Sequence, residues 1–192
     1  EGPVAGITKV WIDKTLKTPS DLFTLKLGTY PQSTWSHFTT HHPTQAIGYQ
    51  GIAYAAAANY DLGNRSGLPN HIFEVQGKYL LGSGVIDADP KDIVTDLLTN
   101  PHTGVPNAPA LGDTTAYSNY CKATGILLSP SYSDASTAAS ILAELMQITN
   151  TAAYFSDGVL KLVPYGDASA TGNGATYTPN LTPLANLDDD DF

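Results

Sequence analysis

His37, His41 and His42 fall within six residues of one another, beside Trp35, in the stretch WSHFTTHHP. Imidazoles four residues apart on a helix share a face and can bind zinc, as they do in metalloprotease helices. This stretch has no glutamate to act as a base and is interrupted by Pro43, so it reads as a polar loop with exposed histidines. Asp87, Asp89, Asp92 and Asp96 raise calcium instead. A calcium loop needs oxygen ligands at its first, third and fifth positions and glycine at its sixth, whereas Pro90 and Lys91 occupy the fourth and fifth. The four acids read as helix caps and solvated charges.

Other reactive groups are equally sparse. Gly82-Ser83-Gly84 is too short for a nucleophile elbow or a phosphate loop and reads as a turn between domains. Glu74 and Glu144 lie in different halves of the chain and suggest no pair of facing carboxylates. Cys121 is the lone cysteine, so no internal disulfide can form. It falls on an expected helix beside Tyr117 and Tyr120, with no histidine near it in sequence, and reads as a buried, inert thiol. The glycosylation patterns at Asn64 and Asn180 are read as chance. No catalytic, cofactor-binding or metal-binding residue is expected.

The elements that would position any site are clearer. Residues 4–17 alternate with period two and predict a strand, and residues 23–27 predict a second. Residues 28–46 follow neither period and read as loop. Strands are expected from Gly51 and over His71–Tyr79. Asp89-Pro90 opens a helix whose apolar face is Ile93, Val94, Leu97 and Leu98. Gly112-Asp113 opens another, closed by Gly125. Asp134 is the expected N-cap of a third, with Ala138, Ile141, Leu142, Leu145 and Ile148 on one face. Asp157-Gly158 then makes a type I′ hairpin turn, and Ile141, Leu142 and Leu145 should pack on Leu160 and Leu162.

Composition sets the outer bounds. The chain has 192 residues and 42 % apolar content, enough for a real core, while charged residues reach only 14 % against the roughly 25 % usual in soluble domains. Of the net charge of −9, residues 1–86 carry +1 and residues 87–192 carry −10. That split suggests a β-rich domain over 1–86, a mixed domain over 87–165, and an extended arm or linker over 166–192 that ends in four aspartates before Phe192. The acidity argues against nucleic-acid binding, and no apolar run is long enough to span a membrane. The chain opens mid-pattern at Glu1-Gly2-Pro3 without an initiator methionine, and is read as a fragment.

Several segments resemble the tail-protein family that forms the baseplate hub or tail tip of tailed bacteriophages and gene transfer agents. They are EGPVAGITKVWID at the start, and YQGIAYAAAANYDLGNRSGLPNHIFEV with Tyr49, Gly51, Ala53, Tyr54, Leu62, Gly67, Pro69, Phe73, Glu74 and Val75. DADPKDIVTDLLTNPHTGV and ILAELMQITNTAAYFSDGVLKLVP complete the set, so the resemblance covers about residues 1–165. It implies an α+β fold, with a β-rich tube or barrel-type unit followed by a smaller α/β unit of three helices and a β-hairpin. It also implies a structural virion protein at the phage tail tip, not an enzyme, that forms a homotrimer and joins the tail tube to the tip or fibre. Eleven tyrosines and two tryptophans keep a glycan-binding module of the tail tip as an alternative, and part of a tail-associated peptidoglycan hydrolase is a second.

Overall fold

A computed structural model describes residues 3–78, 87–132 and 135–182. The fold is mixed α and β, with several small sheets and five helices among the described residues. The chain divides into two compact units, Glu1–Asp87 and Ala88–Phe192.

The first unit opens with strand β1 (Gly6–Ile12) and strand β2 (Thr15–Lys17), followed by the short helix α1 (Pro19–Leu22) and strand β3 (Thr24–Leu27). Helix α2 (Ser36–His41), strand β4 (Ala53–Ala56) and strand β5 (His71–Gln76) complete it. The strands form an antiparallel sheet of order β2-β1-β5 and a separate β3-β4 ribbon, and no sheet closes into a barrel among the described residues.

The single strand expected over residues 4–17 is a hairpin instead. Asp13 and Lys14 take φ angles of 46° and 74°, which reverses the chain between β1 and β2. Neither is glycine, so the left-handed turn needs support from elsewhere. Asp13 supplies it: its carboxylate pairs with Arg65 and accepts the Asn70 amide at 3.2 Å, and its own amide donates to the Asn70 carbonyl at 3.1 Å. The loop expected over 28–46 also differs, because it contains α2.

Cross-strand partners share a face of the sheet. Val10 pairs with Phe73 on one face, where Phe23 lies 5.9 Å from the Phe73 ring and 5.8 Å from Tyr60. On the other face Leu16, Trp11 and Ile72 make a row across the three strands.

The second unit holds helix α3 (Pro90–Thr99), strand β6 (Ala110–Leu111), helix α4 (Thr115–Thr124) and helix α5 (Ala138–Ile148). Strands β7 (Thr151–Ser156) and β8 (Val159–Pro164) pair antiparallel, and β6 adds to β8 in parallel. A last hairpin joins β9 (Ala170–Gly172) to β10 (Ala175–Tyr177). The core gathers Val94 and Leu98 from α3, Tyr117 and Cys121 from α4, and Leu145 and Met146 from α5, closed by Leu162 and Tyr177. Ile141, Leu142 and Leu160 pack against it, as their helical and strand spacing predicts.

Asp89 caps α3, accepting the Lys91 amide at 3.0 Å, and Asp157 and Gly158 take φ of 56° and 79° in the β7–β8 turn. Three readings need correction. The α5 cap is Thr137, whose hydroxyl accepts the Ser140 amide; Asp134 lies outside the described residues and the helix begins only at Ala138. Ile148, the last residue of α5, is half exposed, while Met146, absent from the expected face, is buried. Residues 170–177, expected in an extended arm, fold as β9 and β10 against α4, with Tyr177 in the core and its ring 5.1 Å from that of Tyr120.

Asp89 is almost fully buried, pairs with Lys122 at 3.2 Å and accepts the Ser118 hydroxyl, so it ties the start of α3 to the middle of α4. Removing one partner of a buried pair leaves the others unsatisfied, which costs about 3 kcal/mol. Asp89→Ala should lower the unfolding free energy obtained from a urea titration by that amount, whereas Asp92→Ala, at a solvent-exposed pair, should leave it nearly unchanged.

Candidate functional site

The residues with chemical potential in the first unit gather on a platform of loops around Gln32. Its side chain is buried and fully used: Oε1 accepts the Gly28 amide at 2.7 Å, and Nε2 donates to the carbonyls of Gly48, Tyr49 and Ile52 at 2.9–3.1 Å. One amide therefore fastens the segment after β3 to the segment before β4. Two glycines allow the close approach. A Cβ at Gly48 would collide with the Gln32 carbonyl, and one at Gly51 would collide with the Tyr30 hydroxyl. Gly51 also takes a φ of 76°, which a side chain disfavours.

Helix α2 rises from this platform. Its N-cap, Trp35, gives no side-chain hydrogen bond, so ring packing holds the first turn: Trp35 is buried and lies 4.8 Å from His37 and 5.1 Å from Phe38. Phe38 continues the string to Tyr49 at 6.3 Å, and Tyr49 to Tyr54 at 5.7 Å. The Tyr54 hydroxyl is buried without a hydrogen-bond partner, and burial followed by its neighbour Tyr49 raises its pKa. The helix brings His37 and His41 onto one face, with ring centres 4.5 Å apart, and places His42 at its end.

A second feature lies on the outward face of the three-stranded sheet. An open groove of about 420 Å³ is lined by Trp11 and Ile72 on its floor and Asp13, Lys14 and Asn70 at its rim. An aromatic face beside polar rim groups suits a sugar ring, which has one apolar side and a belt of hydroxyls. The sequence marks neither the groove nor Gln32. Asp13-Lys14 lacks the glycine that signals a tight hairpin, and a buried glutamine has no pattern of its own.

The remaining candidates do not converge. Asp89 is a buried cap, Asp92 pairs with Lys91, and Asp96 accepts from Asn100 at 2.7 Å. Among the described residues no three His, Cys, Asp or Glu are arranged to hold a metal ion. Glu74 belongs to the first unit and Glu144 to the second. Hydrogen bonds from Thr8 and then Lys9 lower the Glu74 pKa, which suits a carboxylate engaged on the sheet surface. Gly82-Ser83-Gly84 lies outside the described residues. No helix among them is long and apolar enough to cross a membrane. No protein-family model matches the chain, and no curated protein matches it either.

Cys121 has no exposed surface, and burial, aided by the nearby Asp89 charge, pushes its thiol up to about 12. Tyr117 is raised too, mainly by burial. The native state therefore keeps both protons at a pH where the unfolded chain, with a thiol near about 8.5 and a phenol near about 10, has lost them. Unfolding then releases protons, so stability falls as pH rises from about 9 towards 12. Urea midpoints measured across that range should decline, and Cys121→Ala should make the decline shallower. Iodoacetamide at mildly alkaline pH should label the thiol only after denaturation.

Proposed function

We propose that this chain is a structural piece of a phage tail baseplate hub or tail tip, joining the tail tube to the tip or fibre. The observation that carries the reading is the imbalance of apolar burial in the first unit. Among its described aliphatic and aromatic side chains only Val10 and Trp35 are buried, while Leu16, Ile47, Ile52, Leu68, Ile72 and Val75 are more than half exposed. A unit that buries so few of its large apolar side chains is suited to an obligate assembly, which covers them. On this reading β1 to β5 are parts of a tube-type barrel that further chains complete, in a homotrimer. The low charge fits an interface of that kind, because interface cores are depleted in charged residues.

The same reading makes the second unit a scaffold. Its buried groups are spent on packing and capping, and its thiol is held neutral. The chain then supplies no reaction of its own, needs no cofactor, does not bind nucleic acid, and resides in the virion after synthesis in the bacterial cytoplasm. The resemblance of the segments around Tyr49–Val75 and Leu98–Pro101 to tail proteins supports this assignment.

The Trp11 groove favours a second reading, a glycan-binding module of the tail tip. Of the two tryptophans only Trp11 lines the groove, since Trp35 is buried.

Antiserum raised against the chain should decorate the tail tip of purified particles in electron micrographs, and particles lacking the gene should have defective tips. Absence of the protein from purified particles overturns the assignment. If host polysaccharide binds the chain and Trp11→Ala abolishes that binding while leaving the fold intact, the glycan reading takes its place.

A further inference from the structure

The three histidines are the strongest group left over by the tail-protein reading, and helix α2 changes what they can do. His37 and His41 stand one turn apart with ring centres at 4.5 Å and ring planes at 43°, so the rings are close and tilted rather than stacked flat. A metal–nitrogen bond of about 2.0–2.1 Å places each ring centre about 3.2 Å from a bound ion. Two such rings at cis or tetrahedral angles have centres about 4.5–5.2 Å apart. The observed spacing lies within that range without any rearrangement of the backbone.

The two side chains also differ usefully in freedom. His37 is half buried, with its ring 4.8 Å from the buried Trp35, so one arm is fixed by packing. His41 is exposed and can turn its ring to meet an ion. The ring centre of His42 lies 6.1 Å from that of His37, beyond the span for a third ring at the same angles. This agrees with the lack of any three-residue metal group among the described residues.

We propose that His37 and His41 form a two-nitrogen site for a borderline divalent transition metal, Cu²⁺, Ni²⁺ or Zn²⁺, with water filling the remaining positions. Imidazole suits these ions, and affinity rises towards copper. The chelate closes one turn of a six-residue helix that has no side-chain N-cap, and so stiffens the helix standing on the Gln32 platform. The site is independent of the tail-tip assignment, because it needs only α2.

The test uses the tag-free chain carrying Trp11→Phe, so that Trp35 is the reporter, titrated with Cu²⁺ or Ni²⁺ at neutral pH. Saturable quenching at one ion per chain, with a rise in melting temperature, is the expected result. His41→Ala should weaken binding about tenfold or more, without changing the circular dichroism or melting temperature of the metal-free protein. His102→Ala, in the second unit, should bind like the parent. Quenching that never saturates, or equal binding by His41→Ala, overturns the site.

Discussion

A carboxylate taken out of water must be met by every donor that water would have supplied, and Asp89 shows how much structure that requirement can organise. Its two oxygens are shared among a backbone amide of its own helix, the Ser118 hydroxyl and the Lys122 ammonium. The first contact starts α3; the other two fix where α4 crosses it. Once that crossing is set, Val94 and Leu98 face Tyr117 and Cys121, and α5 with the β7–β8 hairpin closes over them. Apolar contact supplies most of the stability, but it is non-directional. The buried charge gives direction, since a shifted helix would leave it unpaired.

The first unit obeys a different logic. Its polar centre is the neutral amide of Gln32, which satisfies four backbone groups and so makes loops behave as a rigid surface. Around it the chain keeps aromatic contacts in place of a broad aliphatic core: Phe23 with Tyr60, His71 and Phe73 on one side, and Trp35 through Tyr54 on the other. Such strings hold local geometry while leaving Leu16 and Ile72 uncovered. The broad buried core belongs to the second unit, and the first unit has none of comparable extent among its described residues.

How much of this could be read in advance depended on whether the cause was local. The capped start of α3, the apolar face of α5 and the Asp157-Gly158 turn were legible because each is set by residues within one turn or hairpin. The Asp13-Lys14 reversal was not, since its support comes from Arg65 and Asn70, more than fifty residues away. Helix α2 was hidden because it lacks both a capping side chain and an apolar period, and rests on Trp35 packing. The β9–β10 hairpin carries one local signal among weak neighbours. Asn173-Gly174, with φ of 45° and 74°, is a strong tight-turn pair, but the surrounding Gly, Thr and Ala made the segment look like linker. The candidate site was visible as residues and invisible as geometry: the histidines stood out, while their pairing needed helix α2 and the Trp11 groove needed the paired strands.

The place of Tyr177 in the second unit's core has a consequence for synthesis. Its hydroxyl donates to the Gly166 carbonyl and its ring seals Tyr120, so the last wall of the core is made by residues well beyond the β7–β8 hairpin. A growing polypeptide can assemble α3, α4, α5 and that hairpin in order, yet they stay uncapped on one side until residue 177 has cleared the ribosome exit tunnel. The final short hairpin acts in time as well as space: its arrival ends the unit's sticky period.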